Sequence, residues 1–91
     1  MELEEIKQDL VHIRVQQRNN KKNITTIQGL TLDLPKLVKT FKKLFSCNVF
    51  LVEDRVFGTI IQLQGDQRQG VLDFITKNRI IDPKFVRIHG Y

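Results

Sequence analysis

Tryptophan is missing from this sequence, and methionine, cysteine and tyrosine occur once each. A lone thiol, Cys47, excludes an internal disulfide and accords with a reducing compartment. Cys47 follows an apolar stripe directly, which predicts a small buried residue rather than a nucleophile. Zinc-type metal centres need several Cys or His side chains at regular spacing, and one cysteine with two distant histidines, His12 and His89, lacks it. No apolar run approaches the roughly 20 residues of a membrane span. The start, "MELEEIKQD", is acidic and lacks the basic opening and apolar centre of a secretion signal. These absences predict a cytoplasmic protein without a membrane partner. The chain has 91 residues, which fits one small domain with a modest core. No internal repeat, linker or low-complexity stretch divides it.

The charge is present but uneven. Fifteen Lys and Arg face ten Asp and Glu. Four of the acids, Glu2, Glu4, Glu5 and Asp9, sit in the first nine residues with Lys7. The rest of the chain then holds fourteen basic against six acidic side chains, a balance of +8. A basic body suits a polyanionic partner, and also plain solubility.

Periodicity predicts the elements. Residues 1–9 read as a short acidic tail, and residues 10–91 as the folded domain. Val11, Ile13 and Val15 alternate with His12, Arg14 and Gln16, the mark of a half-buried strand. A second strand is expected at 23–28, with the polar segment 17–22 as the loop of a hairpin. Asn19 and Asn20 at its tip tolerate positive φ. In "DLPKLVKTFKKLFSCN", Asp33 is a helix cap and Pro35 belongs in the first turn. Leu34, Leu37, Val38, Phe41, Leu44 and Phe45 form an apolar stripe, with Lys36, Lys39, Lys42 and Lys43 opposite. "VFLVE" and "TIIQLQ" read as strands around a loop at 54–58, where Val56 and Phe57 look exposed. Gly65 and Asp66 make a turn that doubles as a helix cap. A second helix follows at 67–77, with Val71, Leu72, Phe74 and Ile75 inward and Gly70 costing it about 1 kcal/mol relative to Ala. "KFVRIHGY" reads as a final strand. The order ββαββαβ predicts an α+β two-layer sandwich, a mostly antiparallel sheet with both helices on one face.

Little in the chain suggests catalysis. Cys47, His12 and His89 are the only candidates for a nucleophile and base, and the histidines alternate with apolar partners, which puts them on the outer face of the sheet. "LQGDQRQG" lacks the Lys-Ser/Thr of a phosphate loop. No enzyme activity and no cofactor are expected. Two basic elements remain: Arg18, Lys21 and Lys22 at the hairpin tip, and the four lysines of the first helix. A tip that enters a groove beside a helix that tracks phosphates suits nucleic acid. The tip carries no aromatic residue, which favours shape and phosphate recognition of folded RNA over base stacking.

Four blocks, "HIRVQQRNNKKNITTIQGL", "FKKLFSCN", "IIQLQGDQR" and "IHGY", stand in an order and spacing that resemble the eukaryotic translation initiation factor 1 family. The resemblance covers nearly all of the chain past its tail and implies the two-layer fold above. It also implies a monomer that binds the small ribosomal subunit near the P site, promotes scanning, supports start-codon fidelity and is released on start-codon recognition. On this resemblance Arg18, Asn19, Asn20, Lys21, Lys22, Lys36, Lys39, Lys42 and Lys43 contact rRNA. The loop Glu53, Asp54, Arg55, Val56, Phe57 faces initiator tRNA, and initiation factors 2, 3 and 5 are nearby partners. The sequence departs from the family pattern in a short tail before Val11, at Asn20 and Val49 where Gly is usual, and at Arg55 and Val56 in a loop where Pro is common. The alternative is a protein-interaction module of the same fold without a role in scanning.

Overall fold

The computed structural model describes residues 10–19 and 22–90. The expected tail at 1–9, together with Asn20 and Lys21, lies outside the described residues. Alternation builds the sheet. In β1 (Val11–Asn19), Val11, Ile13 and Val15 are buried while His12, Arg14 and Gln16 point the other way. In β2 (Lys22–Gln28), Thr25 and Ile27 take the buried side. β3 (Val49–Asp54) contributes Val49 to the core and β4 (Gly58–Gln64) contributes Ile61 and Leu63. β5 (Val86–His89) adds Val86. The strands lie in the order β3-β4-β2-β1-β5. All pairings are antiparallel except β1 with β5, which is parallel.

Both helices cover the buried face. α1 (Leu34–Phe45) starts as the sequence predicts: Asp33 accepts a bond from the Lys36 amide at 3.2 Å, and Pro35 sits in the first turn. Leu37 and Phe41 are buried, and Leu34, Val38 and Phe45 pack against the same core. α2 (Arg68–Lys77) buries Val71 and Ile75 and leaves Leu72 and Phe74 half-buried against them. The Phe41 ring meets the edge of Phe74 with centroids 5.2 Å apart. The two helices meet closely at Gly70, where a Cβ would stand only 2.6 Å from Phe45 Cε1.

Several boundaries differ from expectation, each for a local reason. Residues 17–19 and Lys22 belong to strands rather than to a loop: β1 continues to Asn19 and β2 resumes at Lys22, with these two residues paired beyond a bulge between Gln17 and Asn19. Gln16, Gln17, Arg18 and Lys22 are exposed, and backbone pairing persists there although hydrophobic alternation has stopped. The final strand begins at Val86, because Pro83–Phe85 form a 3-10 turn in which the Asp82 carboxylate accepts from the Lys84 amide at 2.9 Å. Leu44, expected inside, is 54% exposed. The six apolar residues of α1 span about 120° of the helix, more than the sheet beneath covers. Cys47 packs half-buried against the core rather than within it. No helix among the described residues is long and apolar enough to cross a membrane.

Candidate nucleic-acid interface

Strand registers place the described candidate residues of the strands and their turns at one end of the sheet or the other. β1 and β4 run towards the β1–β2 hairpin end, and β2 and β3 run away from it. The last β2–β4 pair is Ile24 with Gln64, so the hairpin end, with Arg18 and Lys22, extends past the rest of the sheet. Its base is fixed by Thr25, which is fully buried yet satisfied. The Thr25 hydroxyl donates to the Gly65 carbonyl at 2.7 Å and accepts from the Gln67 amide at 2.8 Å. The Gly65 amide donates to the Asn23 carbonyl at 2.8 Å. A buried hydroxyl without partners would cost about 1–3 kcal/mol; here it joins β2 to the turn that launches α2. Sequence alternation marks Thr25 as inward but gives no hint of this role.

α1 runs from the far end of the sheet to the hairpin end, because β3 begins there. All four lysines are exposed, but they do not act as one cluster. Lys42 and Lys43 occupy the last turn, where cations favour the C-terminal dipole. They share an end of the molecule with Arg18 and Lys22. Lys36 lies in the first turn at the opposite end, and Lys39 lies between. Sequence residues 10–32 contain no carboxylate, and neither do residues 34–52. The exception nearby is Asp66, whose carboxylate is taken up by the Arg68 guanidinium at 2.7 Å. That hydrogen bond, above all, holds the Asp66 carboxyl below the ordinary carboxylate range.

The β3–β4 turn is at the far end from the hairpin. β3 runs one residue longer than expected and Asp54 pairs with Gly58, leaving only Arg55, Val56 and Phe57 in the turn. Asp54 is a structural residue there. Its Oδ1 accepts from the Val56 amide at 2.8 Å and the Phe57 amide at 3.0 Å. The bonds from Phe57 and then Val56 hold its carboxyl below the ordinary carboxylate range, so it stays charged at neutral pH. Glu53 accepts from the Thr59 hydroxyl at 2.9 Å. Val56 and Phe57 are 79% and 52% exposed, as the sequence suggests.

The structure adds a residue the sequence reading did not place. Phe50 pairs with Gln62 across β3 and β4, and Gln62 in turn with Thr26 of β2. Those pairings carry the ring onto the sheet face away from the helices, where it is 54% exposed. Phe50 lines one open hollow with Arg18 and Lys22. The tip lacks an aromatic in sequence, but the sheet brings one beside it from a strand 30 residues later. The chain gives no local signal for this, because β3–β4–β2 adjacency is a long-range fact.

On the same outer face, His12 and His89 stack with ring centroids 5.1 Å apart, and His12 Nδ1 lies 2.9 Å from His89 Nε2. Among the described residues no group of three or more Cys, His, Asp or Glu could hold a metal ion.

The family model described as translation initiation factor SUI1 matches residues 7–81. The chain is 43% identical over 90 residues to eukaryotic translation initiation factor eIF1 of Drosophila melanogaster, covering 97% of this chain and 82% of that one. It is 47% identical over 85 residues to the protein translation factor SUI1 homolog of Salix bakko, covering 91% and 75%. It is 43% identical over 86 residues to human eukaryotic translation initiation factor 1, covering 92% and 76%. Among solved structures, the C-terminal domain of human eIF2D superposes with a TM-score of 0.78 at 15% identity, over 89% of this chain and 43% of that one. That likeness concerns the fold alone, and it agrees with the two-layer ββαββαβ arrangement seen here.

Proposed function

Because the chain belongs to the translation initiation factor SUI1 family, we propose that it acts on the small ribosomal subunit, with its hairpin end and the last turn of α1 against rRNA. At the coarser level the assignment is plain: it is a translation initiation factor and not an enzyme. The finer reading has the factor beside the P site, keeping the complex open for scanning, guarding start-codon choice and leaving once the codon is recognised. The β3–β4 turn then faces initiator tRNA, and initiation factors 2, 3 and 5 are neighbours in the complex. One observation carries the rRNA contact. Arg18, Lys22, Lys42 and Lys43 are exposed at the same end of the fold, on a hairpin that projects beyond the sheet. Asn19, Asn20 and Lys21 complete that tip in sequence.

Co-sedimentation with purified small subunits across a salt series tests this. Phosphate contacts release counterions, so log affinity falls with log salt by roughly 0.7–0.9 per contact. Arg18→Glu/Lys22→Glu and Lys42→Glu/Lys43→Glu are each expected to weaken binding and flatten the slope. Lys36→Glu, at the other end, is expected to change it less. A protein-interaction module of the same fold gives no co-sedimentation, and an unchanged slope in both double variants removes this end from the interface.

A further inference from the structure

The outer sheet face carries more than an electrostatic surface. Beside Phe50 lies a hollow of about 470 Å³, within the range of small-ligand sites. Asn48, Gln62 and Gln64 contribute amides to its lining, and Arg18 and Lys22 contribute cations. Each amide offers both donors and acceptors, the complement of a base edge. Among the described residues no Asp or Glu lines it, so the charge favours a polyanion. The Phe50 ring is more than half exposed and serves no core contact that would explain an aromatic on an edge strand.

We propose that this hollow holds a nucleotide of a single-stranded RNA segment, its base stacked on the Phe50 ring and its backbone drawn by Arg18 and Lys22. The proposal rests on the RNA-binding half of the reading above and adds to it a second mode, stacking on the sheet rather than phosphate contact at a tip. Every base presents a π-face, so stacking tolerates sequence, while the neighbouring cations follow the backbone. Gln62 and Gln64 sit on the strand between the ring and the hairpin, where they reach a base edge rather than a phosphate. A duplex keeps its bases stacked on one another and offers no free face to Phe50.

The test is fluorescence anisotropy with the full chain, using labelled hexa-adenylate and hexa-uridylate and a short RNA duplex at fixed salt. Both single strands are expected to bind more tightly than the duplex. Phe50→Ala is expected to weaken single-strand binding about tenfold, with the urea midpoint nearly unchanged because the ring is exposed. Phe50→Tyr keeps the π-face and is expected to bind as the parent does. Phe50→Leu separates the occupants: it is expected to bind as poorly as Phe50→Ala. Recovery in Phe50→Leu would show a plain apolar contact suited to a protein partner and would overturn the proposal. Unchanged binding in Phe50→Ala, or equal affinity for the duplex, overturns it as well. The assay contains no ribosome. Failure of the parent chain to bind small subunits therefore counts against the ribosomal reading alone, and failure of the Phe50 series counts against this one alone.

Discussion

Gly70 sits in the first turn of α2, where alanine gains up to about 1 kcal/mol in helix propensity, yet an added Cβ would stand 2.6 Å from Phe45 Cε1. Phe45 has little room to yield, because its ring packs on Phe41 at 5.5 Å between centroids. Overpacking of this kind costs about 1–3 kcal/mol and outweighs the propensity gain. Gly70→Ala is therefore expected to lower stability by about 1 kcal/mol, read from urea midpoints. Adding Phe45→Leu should return part of the loss, and a raised midpoint in the single variant would show that the helices do not meet there. Sequence reasoning saw only the propensity side of this residue. The contact that reverses the sign joins two helices separated by a whole hairpin, and no local pattern reports it. Phe50 was hidden in the same way.

Elements divide into those that burial dictates and those held by a few polar contacts. α1 is of the first kind. Phe41 is fully buried and Lys39 is exposed, so Phe41→Ala is expected to cost about 3–5 kcal/mol and Lys39→Ala almost nothing, by thermal or urea unfolding. Its cap, its first turn and most of its stripe were legible because the 3.6-residue period and the Asp33–Pro35 signal agree. β5 is of the second kind: four residues on one edge, paired among the described residues only with β1. The His12–His89 contact fastens it, and the Arg68 guanidinium adds a bond to the His89 carbonyl at 3.2 Å. Burial first, then the charges of Arg14, His89 and Arg87, holds the His12 pKa below its ordinary 6.5. The folded state thus prefers His12 neutral. Its contribution is complete above about pH 6.5 and is lost as pH falls through the lowered folded value. Charging His12 adds a cation beside Arg14 and Arg87 on this edge. Protection factors at Val86–His89, taken relative to the intrinsic exchange rate at each pH, are expected to fall between pH 7.5 and 5 ahead of those of the β2–β4 ladder, and His12→Gln should remove that difference. An equal fall in the variant would assign the effect elsewhere.

Across the whole molecule, the two surfaces with candidate RNA roles point in opposite directions, since the hairpin end and the β3–β4 turn close opposite ends of antiparallel strands. A change in one is therefore expected to leave the other's contact intact. Arg55→Glu adds to the negative charge of Glu53 and Asp54 and so to repulsion from a tRNA backbone. It is expected to lower initiation at UUG relative to AUG in a reconstituted system while affinity for the empty small subunit stays within twofold. Equal UUG-to-AUG ratios for both proteins would reduce the turn to a connector. This division of ends was not visible from sequence, although the element order was. Alternation and helical stripes give the list of parts, whereas the strand order β3-β4-β2-β1-β5 depends on pairings between distant segments.

The parallel pairing of Val11 with Val86 has a consequence for how such a chain is made. Its first strand emerges from the ribosomal exit tunnel early, but one flank of that strand waits for nearly the last described residues to follow. Long-range pairing slows folding, because loop closure precedes any reward. A nascent hairpin β1–β2 forms locally, yet it stays half-sheltered and open to chaperones until Val86–His89 have also left the tunnel.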